Sequence, residues 1–264
     1  MKTFIQFILA QHPWLYKTVL RLKGSGRYNV DKLIFLSVVN RGDVVIDVGA
    51  NRGYYTVLFS HLVGPTGKVH AFEPVPPTFA TLKETVKSDA RYNNVELNSL
   101  ALSDQNGTDT IYLPGTDDGQ SSLRTHTSGS WSDEAAVKSY EIKTNSLDTF
   151  AAEHNIERLN FIKIDTEGAE LLVINGGANV IERHHPIVYA EIFNDWSQDF
   201  HYTSADLVAR LMALGYRTFY LIGQDIRRVQ DPIVELSAEN LRSSVNLLCS
   251  VENQPEIDKL AKAR

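Results

Sequence analysis

The chain has 264 residues, a formal net charge of −6 and a single cysteine, with 43% hydrophobic and 22% charged residues. This composition is ordinary for a globular protein, and the length allows one α/β domain with a sizeable core. The acidic balance and the lack of a basic stripe argue against a nucleic-acid partner. Cys249 cannot form an internal disulfide, and its apolar surroundings indicate a buried thiol in a strand rather than a catalytic nucleophile.

The first twenty residues carry apolar positions at helical spacing rather than a secretory signal. The apolar run at 4–10 is short, is interrupted by Gln6 and lacks a small-residue cleavage pattern. No stretch reaches the ~18–20 apolar residues that span a bilayer. We therefore expect a cytoplasmic protein without a transmembrane segment, beginning with a helical segment at residues 1–40.

Short apolar runs then alternate with stretches of helical spacing. Helices are predicted at 30–39, 54–63, 78–90, 147–154, 169–175 and 205–214. Strands are predicted at 44–48, 68–73, 95–100, 161–164, 187–193, 216–222 and 245–251. The alternation predicts an α/β fold whose doubly wound, seven-stranded sheet is mostly parallel and closes with an antiparallel C-terminal strand after a short helix at 238–242. The predicted domain covers residues 41–252, and a tail follows at 253–264.

A polar segment at 114–138, rich in Gly, Ser, Thr and Asp, interrupts this alternation between strand-like residues 110–113 and 139–143. Loops of this length inside a compact domain are uncommon and are usually functional or disordered. We expect a substrate-side loop, because the segment should emerge near the ligand-facing edge of the sheet. A solvated hairpin without a role is the alternative.

The first predicted strand contains Asp47 and leads into a turn with Gly49 and Gly53, after which a helical pattern begins. This is the outline of a nucleoside-binding strand, turn and helix. A dinucleotide site needs G-x-G-x-x-G to approach the pyrophosphate, but Ala50 and Asn51 follow the first glycine here. A nicotinamide-dependent oxidoreductase is therefore disfavoured, and a non-catalytic module that keeps the fold is a further alternative.

Glu73 closes the second predicted strand. The spacing from Gly49 to Glu73 is close to the ~20 residues that separate the glycine turn from the acidic side chain that binds ribose hydroxyls. Ligands of open α/β sheets bind beyond the carboxyl ends of the strands, where the strand order reverses. A carboxylate there accepts from both ribose hydroxyls. We therefore predict that Glu73 binds ribose, with an exposed strand-end acid as the alternative.

Carboxylates are dense after the fourth predicted strand. Asp165, Glu167 and Glu170 fall within six positions, which is more than the capping of one helix needs. Glu191 lies in the fifth predicted strand and should reach the same crevice. These acids are candidates for a general base, and if they cluster they could instead bind a divalent cation.

Residues after the fifth strand offer weaker candidates. His201 is an alternative base. Aromatic side chains near the expected acceptor side could stack on a sugar face or simply pack under loops: Trp131, Trp196, Phe200 and Tyr202.

The chain resembles the FkbM-type family of S-adenosylmethionine-dependent methyltransferases in five stretches, taken in order: DVGANRGYYT, FEP, NSLDTF, FIKIDTEGAELLVINGG and PIVYAEI. The resemblance covers roughly residues 40–222, and GQSSL at 119–123 is similar to the small-residue loop of that family. It implies a Rossmann-like class I methyltransferase fold, S-adenosylmethionine as cofactor and O-methylation of a hydroxyl on a sugar, glycan or natural product.

The resemblance also assigns roles by position. It implies that Asp47, Gly49, Asn51 and Gly53 bind the methionine part of the cofactor and that Glu73 binds the ribose. It implies that Asn98, Ala101 and Leu102 flank the adenine. Asp165 lies at the boundary with the acceptor and, with Glu167 and Glu191, forms the predicted catalytic set.

The acidic lining of this site suits a cationic sulfonium. No resident metal is predicted. The implied partner is a small-molecule or glycan hydroxyl, and a homodimer is a further expectation.

Overall fold

A computed structural model describes residues 27–115, 120–127, 137–223, 225–237 and 243–262, together with Tyr16, Thr18, Val19 and Trp131. The predicted helix at 238–242, the apolar run at 4–10 and parts of the 114–138 insertion lie outside the described residues. Among the residues that are described, no helix combines the length and the apolar character needed to cross a membrane.

The described chain alternates between strands and helices. Its strands are, in chain order, β1 (Val44–Val48), β2 (Lys68–Phe72), β3 (Val95–Asn98), β4 (Ala101–Ser103), β5 (Gly107–Leu113), β6 (Lys138–Ser146), β7 (Phe161–Ile164), β8 (Ile187–Ile192), β9 (Thr218–Ile222), β10 (Ile226–Arg228) and β11 (Val245–Ser250). Its helices are α1 (Arg27–Val38), α2 (Tyr54–Val63), α3 (Pro76–Lys87), α4 (Leu147–Glu153), α5 (Glu170–Gly176), α6 (Ala178–His184), α7 (Asn194–Ser197), α8 (Ser204–Ala213), α9 (Pro232–Glu235) and α10 (Pro255–Lys262).

Eight strands form the main sheet, in the order β10-β9-β11-β8-β7-β1-β2-β3. β1 pairs in parallel with both β2 and β7, so the chain proceeds outward through β2 and β3 on one side and through β7 and β8 on the other. The strand order therefore reverses beside β1, where the carboxyl ends of these strands open onto one crevice. β11 runs antiparallel between β8 and β9. The predicted doubly wound α/β fold class with an antiparallel C-terminal strand is confirmed.

The main sheet has one strand more than the seven predicted. The additional strand is β10, which pairs antiparallel with β9 at the sheet edge. It has three residues, two of which are the exposed Arg227 and Arg228, so the sequence carries no apolar alternation that would mark a strand. Charged side chains suit an edge strand, because they discourage pairing with another chain.

The strand predicted at 95–100 is in fact two strands in different sheets. β3 ends at Asn98 in the main sheet, and β4 pairs in parallel with β6 in a second sheet of order β4-β6-β5. The polar residues Asn98 and Ser99 separate the two apolar runs. The strand-like segments on either side of the 114–138 insertion pair antiparallel as β5 and β6, which confirms both predictions.

Alternate residues of the central strands pack on opposite faces of the main sheet. Val45 and Phe161 belong to a core that includes side chains of α1, α2 and α10. Ile46 and Ile162 belong to a second core, formed with α4, α5, α6 and α8. Because both faces are buried, β1 and β7 are mostly apolar in the sequence rather than alternating, with Asp47 and Lys163 as their charged positions.

The helices at the two ends of the described chain share the first of these cores. Phe35 of α1 is fully buried, and its ring centroid lies 5.0 Å from that of Phe59 and 4.8 Å from that of Tyr189. Ile257 of α10 is also fully buried. The division of the chain at residues 40 and 252 stays a prediction, but α1 and α10 pack onto the domain.

We expect Phe35→Ala to lower the free energy of unfolding by about 3–5 kcal/mol, because it removes a buried ring from a packed aromatic cluster and leaves a cavity. Phe79→Ala, at a half-buried position of α3, is the control and should cost clearly less. Urea unfolding followed by far-ultraviolet circular dichroism measures both values. Equal losses in the two variants would contradict the placement of α1 in the core.

Candidate active site

A cleft of about 890 Å³ opens at the carboxyl ends of β1 and β7. Lys163 and Asp165 line it, together with four predicted cofactor residues: Asp47, Gly49, Asn51 and Gly53. A smaller cavity of about 40 Å³ is lined by Glu73, Ala101 and Leu102 and shares Gly49 and Asp165 with the cleft. The residues predicted to bind the cofactor therefore meet in two adjoining spaces, with one exception.

The exception is Asn98, which lines neither of these two cavities. The side-chain N–H of Asn98 donates to the backbone carbonyl oxygen of Ala71 at 3.3 Å. The backbone carbonyl oxygen of Asn98 accepts the N–H of Glu73 at 3.1 Å. Asn98 thus ties the end of β3 to the end of β2 and supports Glu73. Its contact with adenine stays a prediction.

The turn between β1 and α2 has glycine where the backbone comes closest to neighbouring elements. Gly49 has a φ of 73°, and a Cβ atom there would lie 1.8 Å from the carbonyl oxygen of Asp165. The N–H groups of Gly49 and Ala50 both donate to the carbonyl oxygen of Phe72, at 3.1 and 2.9 Å. The turn is therefore held against the ends of both β7 and β2.

Glu73 is buried just after β2, and its carboxylate fixes the backbone on two sides. Oε2 accepts the N–H of Asn51 and Oε1 accepts the N–H of Val75, both at 2.9 Å. Burial raises the pKa of Glu73 to about 7, although the two hydrogen bonds favour its charged form. A carboxylate has about four acceptor positions, so Glu73 can accept further hydroxyl groups.

Lys163 of β7 lies buried between two carboxylates. Its Nζ donates to Oδ2 of Asp165 at 3.0 Å and lies 3.8 Å from Oδ1 of Asp47. Burial lowers the pKa of Lys163, but the carboxylates outweigh that effect and the pKa is raised overall. Asp47 also accepts the hydroxyl of Thr56 at 2.7 Å. Lys163 therefore supplies positive charge between the carboxylates of Asp47 and Asp165.

Sequence reasoning missed Lys163. A lysine inside the apolar strand 161–164, two positions before Asp165, shares a strand face with that aspartate. The spacing could have identified it.

The three predicted catalytic carboxylates meet at the carboxyl ends of β7 and β8. One oxygen from each of Asp165, Glu167 and Glu191 lies within 4.8 Å of the other two. Burial raises the pKa of Glu167 well above its usual range, and the charges of Asp165 and Glu191 raise it further. Oε1 of Glu191 accepts the hydroxyl of Ser244. We call these three residues the carboxylate cluster.

The backbone of Glu167 is fixed by the described part of the 114–138 insertion. Glu167 has a φ of 53°, in the left-handed region. Its carbonyl oxygen accepts the hydroxyl of Ser122 at 2.7 Å and lies 3.0 Å from Nε2 of His126. Nδ1 of His126, which is buried, lies 2.6 Å from Oδ2 of Asp199. These contacts place the described part of the insertion beside the carboxylate cluster, and its role as a substrate-side loop stays a prediction.

Glu170, a further candidate base, is engaged in the turn before α5. Its Oε1 accepts from the N–H groups of Thr166 and Gly168 and from the Thr166 hydroxyl, and its Oε2 accepts the Tyr202 hydroxyl at 3.0 Å. Capping of the local backbone therefore accounts for Glu170. His201, the weaker alternative base, is exposed.

Two of the four aromatic candidates for sugar stacking are internal. Trp131 and Tyr202 are both buried, and Trp131 packs against His126 with ring centroids 5.1 Å apart. For these two residues the packing alternative is correct. Trp196, which stacks on His126 at 5.1 Å, and Phe200 are half-buried.

The doubly wound sheet with an antiparallel strand between β8 and β9, and the cleft at its switch point, agree with the class I methyltransferase fold that the sequence resemblance implies. Residues 47–218 match the Methyltransferase FkbM domain family, and the chain belongs to that family. The predicted family and the predicted cofactor, S-adenosylmethionine, are thereby confirmed.

The chain is similar to several named methyltransferases over part of its length. It is 31% identical over 157 residues to the hexuronic acid methyltransferase AglP of Haloferax volcanii, covering 60% of this chain and 59% of that protein. It is 46% identical over 66 residues to the 31-O-demethyl-FK506 methyltransferase FkbM of Streptomyces tacrolimicus, covering 25% and 24%. It is 25% identical over 166 residues to the 2-O-methyltransferase NoeI of Sinorhizobium fredii, covering 59% and 66%.

The fold is similar to that of a solved structure. Methyltransferase FkbM from Methylobacillus flagellatus superposes with a TM-score of 0.51 at 15% identity, covering 94% of this chain and 59% of that one. The chain thus spans less than two thirds of the length of these relatives, from 24% to 66%.

The raised pKa of Glu73 predicts a pH dependence of the ligand-free protein. Its folded pKa of about 7 exceeds the ordinary 4.5, so the folded state holds this proton more tightly than the unfolded state. The stability that the proton contributes is present below the ordinary pKa and is lost as the pH rises through about 7. Between about pH 5 and about pH 8, the wild type should lose about 2–3 kcal/mol more than Glu73→Gln does.

Urea unfolding of both proteins at the two pH values measures this difference, and the comparison cancels the titration of groups that do not interact with Glu73. Parallel changes in the wild type and the glutamine variant would contradict the raised pKa.

Proposed function

We propose that this chain transfers a methyl group from S-adenosylmethionine to a hydroxyl oxygen of a sugar, glycan or natural product. The observation that carries the proposal is the position of Asp165. It lines both the cleft and the smaller cavity, and it also belongs to the carboxylate cluster. A donor bound in the cleft and an acceptor bound at the cluster would therefore approach each other beside Asp165, and such alignment supplies much of the rate of a bimolecular reaction.

The residues present fit S-adenosylmethionine. Oδ1 of Asp47 is buried and has no hydrogen-bond partner among the described residues, so the amino group of the methionine part would supply the missing donor. Glu73 has acceptor capacity for the ribose hydroxyls. We assign the methionine part to Asp47, Gly49, Asn51 and Gly53, the ribose to Glu73, and the adenine to Asn98, Ala101 and Leu102.

When bound, S-adenosylmethionine supplies a methyl group that passes to the acceptor oxygen as the carbon–sulfur bond breaks and sulfur keeps the electron pair. A carboxylate of Asp165, Glu167 or Glu191 takes the proton that the hydroxyl loses. Lys163 holds Asp165 through its 3.0 Å hydrogen bond. The hydroxyl of Ser122 and the ring of His126 contact the backbone carbonyl oxygen of Glu167. These contacts fix the backbone position from which the Glu167 side chain extends.

Support for an oxygen acceptor comes from the relatives. One acts on a hexuronic acid by its name, and two others are named for O-methylation at a numbered position. Those names describe those proteins, and the similarity favours a hydroxyl of the same kind for this chain. The family and the turn after β1 both disfavour a nicotinamide-dependent oxidoreductase.

Calorimetry with S-adenosylhomocysteine and with NAD tests the donor, and a screen of sugars, uronic acids and natural-product hydroxyls tests the acceptor through release of S-adenosylhomocysteine. We expect binding of S-adenosylhomocysteine, no binding of NAD, and turnover with at least one acceptor class. Binding of neither ligand would favour the non-catalytic module instead.

Glu73→Ala should weaken S-adenosylhomocysteine binding by at least about tenfold, because hydrogen bonds to a charged group contribute about 1.5–3 kcal/mol each. Glu84→Ala, on the exposed face of α3, is the matched control. Calorimetric titration gives both affinities. An unchanged affinity in Glu73→Ala would remove the ribose assignment.

Asp165→Asn and Glu191→Gln should reduce turnover by about 10²-fold or more while affinity for S-adenosylhomocysteine stays within a few-fold, because general-base catalysis contributes that much. Glu182→Gln, at an exposed position of α6, serves as the control. Turnover is read from S-adenosylhomocysteine release and affinity from calorimetry. If both quantities fall equally, these residues bind the cofactor rather than act as bases.

A further inference from the structure

Three acidic side chains converge at the acceptor side of the cleft. One oxygen from each of Asp165, Glu167 and Glu191 lies within 4.8 Å of the other two. Like charges at this separation repel each other, more strongly away from bulk water. Such a cluster needs compensating positive charge.

Glu167 gives a second, independent observation. Its Oε2 is buried and has no hydrogen-bond partner among the described residues. A buried carboxylate oxygen without a donor is costly, and in native structures it normally meets a donor, a proton or a cation. The backbone of Glu167 is nevertheless held in a left-handed conformation by Ser122 and His126, so the side chain starts from a fixed point beside Asp165 and Glu191.

Lys163 supplies positive charge to part of this end of the cleft. Its Nζ donates to Oδ2 of Asp165 at 3.0 Å and lies 3.8 Å from Oδ1 of Asp47. Oε2 of Glu167 has no such partner among the described residues. A divalent cation bound at the carboxylate cluster would supply that partner.

We propose that Asp165, Glu167 and Glu191 bind a hard divalent cation, Mg²⁺ or Mn²⁺, which in turn binds the acceptor oxygen. An all-oxygen donor set selects these ions over zinc or copper. Mg²⁺ prefers octahedral coordination at about 2.0–2.1 Å, so three protein oxygens leave positions for water and for the acceptor.

The cation would act as a Lewis acid on the acceptor. This catalytic role rests on the proposed function, whereas the binding of the cation does not. The bound hydroxyl loses its proton to solvent or to a neighbouring carboxylate, and the cation stabilises the resulting oxyanion while it attacks the methyl carbon. Open coordination positions favour an acceptor with two adjacent oxygens, such as a vicinal diol or a hydroxy acid.

Electron paramagnetic resonance of Mn²⁺ titrated into the 264-residue chain, with and without S-adenosylhomocysteine, tests the cation site. We expect one bound Mn²⁺ that excess Mg²⁺ displaces. Glu167→Gln, which preserves shape, should weaken Mn²⁺ binding by about tenfold or more. Glu157→Gln, exposed and outside the cluster, should not.

The two proposals fail separately in this experiment. S-adenosylhomocysteine binding without any Mn²⁺ binding, or Mn²⁺ binding unaffected by Glu167→Gln, would overturn the cation site and leave methyl transfer standing. Mn²⁺ bound at the cluster of a protein that does not bind S-adenosylhomocysteine would support the cation site and contradict the proposed function.

Discussion

The turn after β1 and the turn after β7 meet at Gly49, where a Cβ atom would lie 1.8 Å from the carbonyl oxygen of Asp165. This close backbone approach brings the cleft and the carboxylate cluster together. Because β1 pairs in parallel with β7, both strands deliver their carboxyl ends to the same point. Any side chain at Gly49 would push the two turns apart, so the arrangement of the whole site depends on this contact.

Glu73 extends that constraint to the neighbouring strand. Its carboxylate accepts one backbone N–H from the turn after β1 and one from the segment after β2. The same burial that makes these hydrogen bonds effective raises the pKa of Glu73 to about 7. Glu73 holds the turn of the ligand-free protein and also faces a cavity, and burying its carboxyl there lowers the stability of the fold. Such a loss is common where polar groups are prearranged for a ligand.

The acceptor side is built from parts that are distant in the chain. The insertion reaches Glu167 through Ser122, 45 positions away, and His126 meets Asp199 across 73 positions. These contacts hold a strained residue in place at the edge of an acidic, partly desolvated pocket. Positive charge from Lys163, a bound sulfonium and the proposed divalent cation would each reduce the repulsion there, so the three are expected to support one another.

Much of this could be predicted from the sequence where local pattern determines structure. The bounds of β1 and β7 agree with prediction, because buried parallel strands are short and mostly apolar, even though β1 carries Asp47 and β7 carries Lys163. Parallel pairing of β7 with β8 brings Asp165 and Glu191 to the same edge of the sheet, whereas the place of Glu167 also depends on its left-handed backbone and on contacts with Ser122 and His126. The split between β3 and β4 and the edge strand β10 were not predicted, because non-local pairing decides them. Glu170 was indistinguishable from its neighbours in the sequence, since only the hydrogen bonds to Thr166, Gly168 and Tyr202 reveal a structural role.

The most direct test of this account is a crystal structure of the chain with S-adenosylhomocysteine. We predict that the ribose hydroxyls donate to Glu73 and that the sulfur atom faces Asp165, Glu167 and Glu191 from the cleft. A nucleoside bound away from Glu73, or a sulfur atom directed away from the carboxylate cluster, would contradict it.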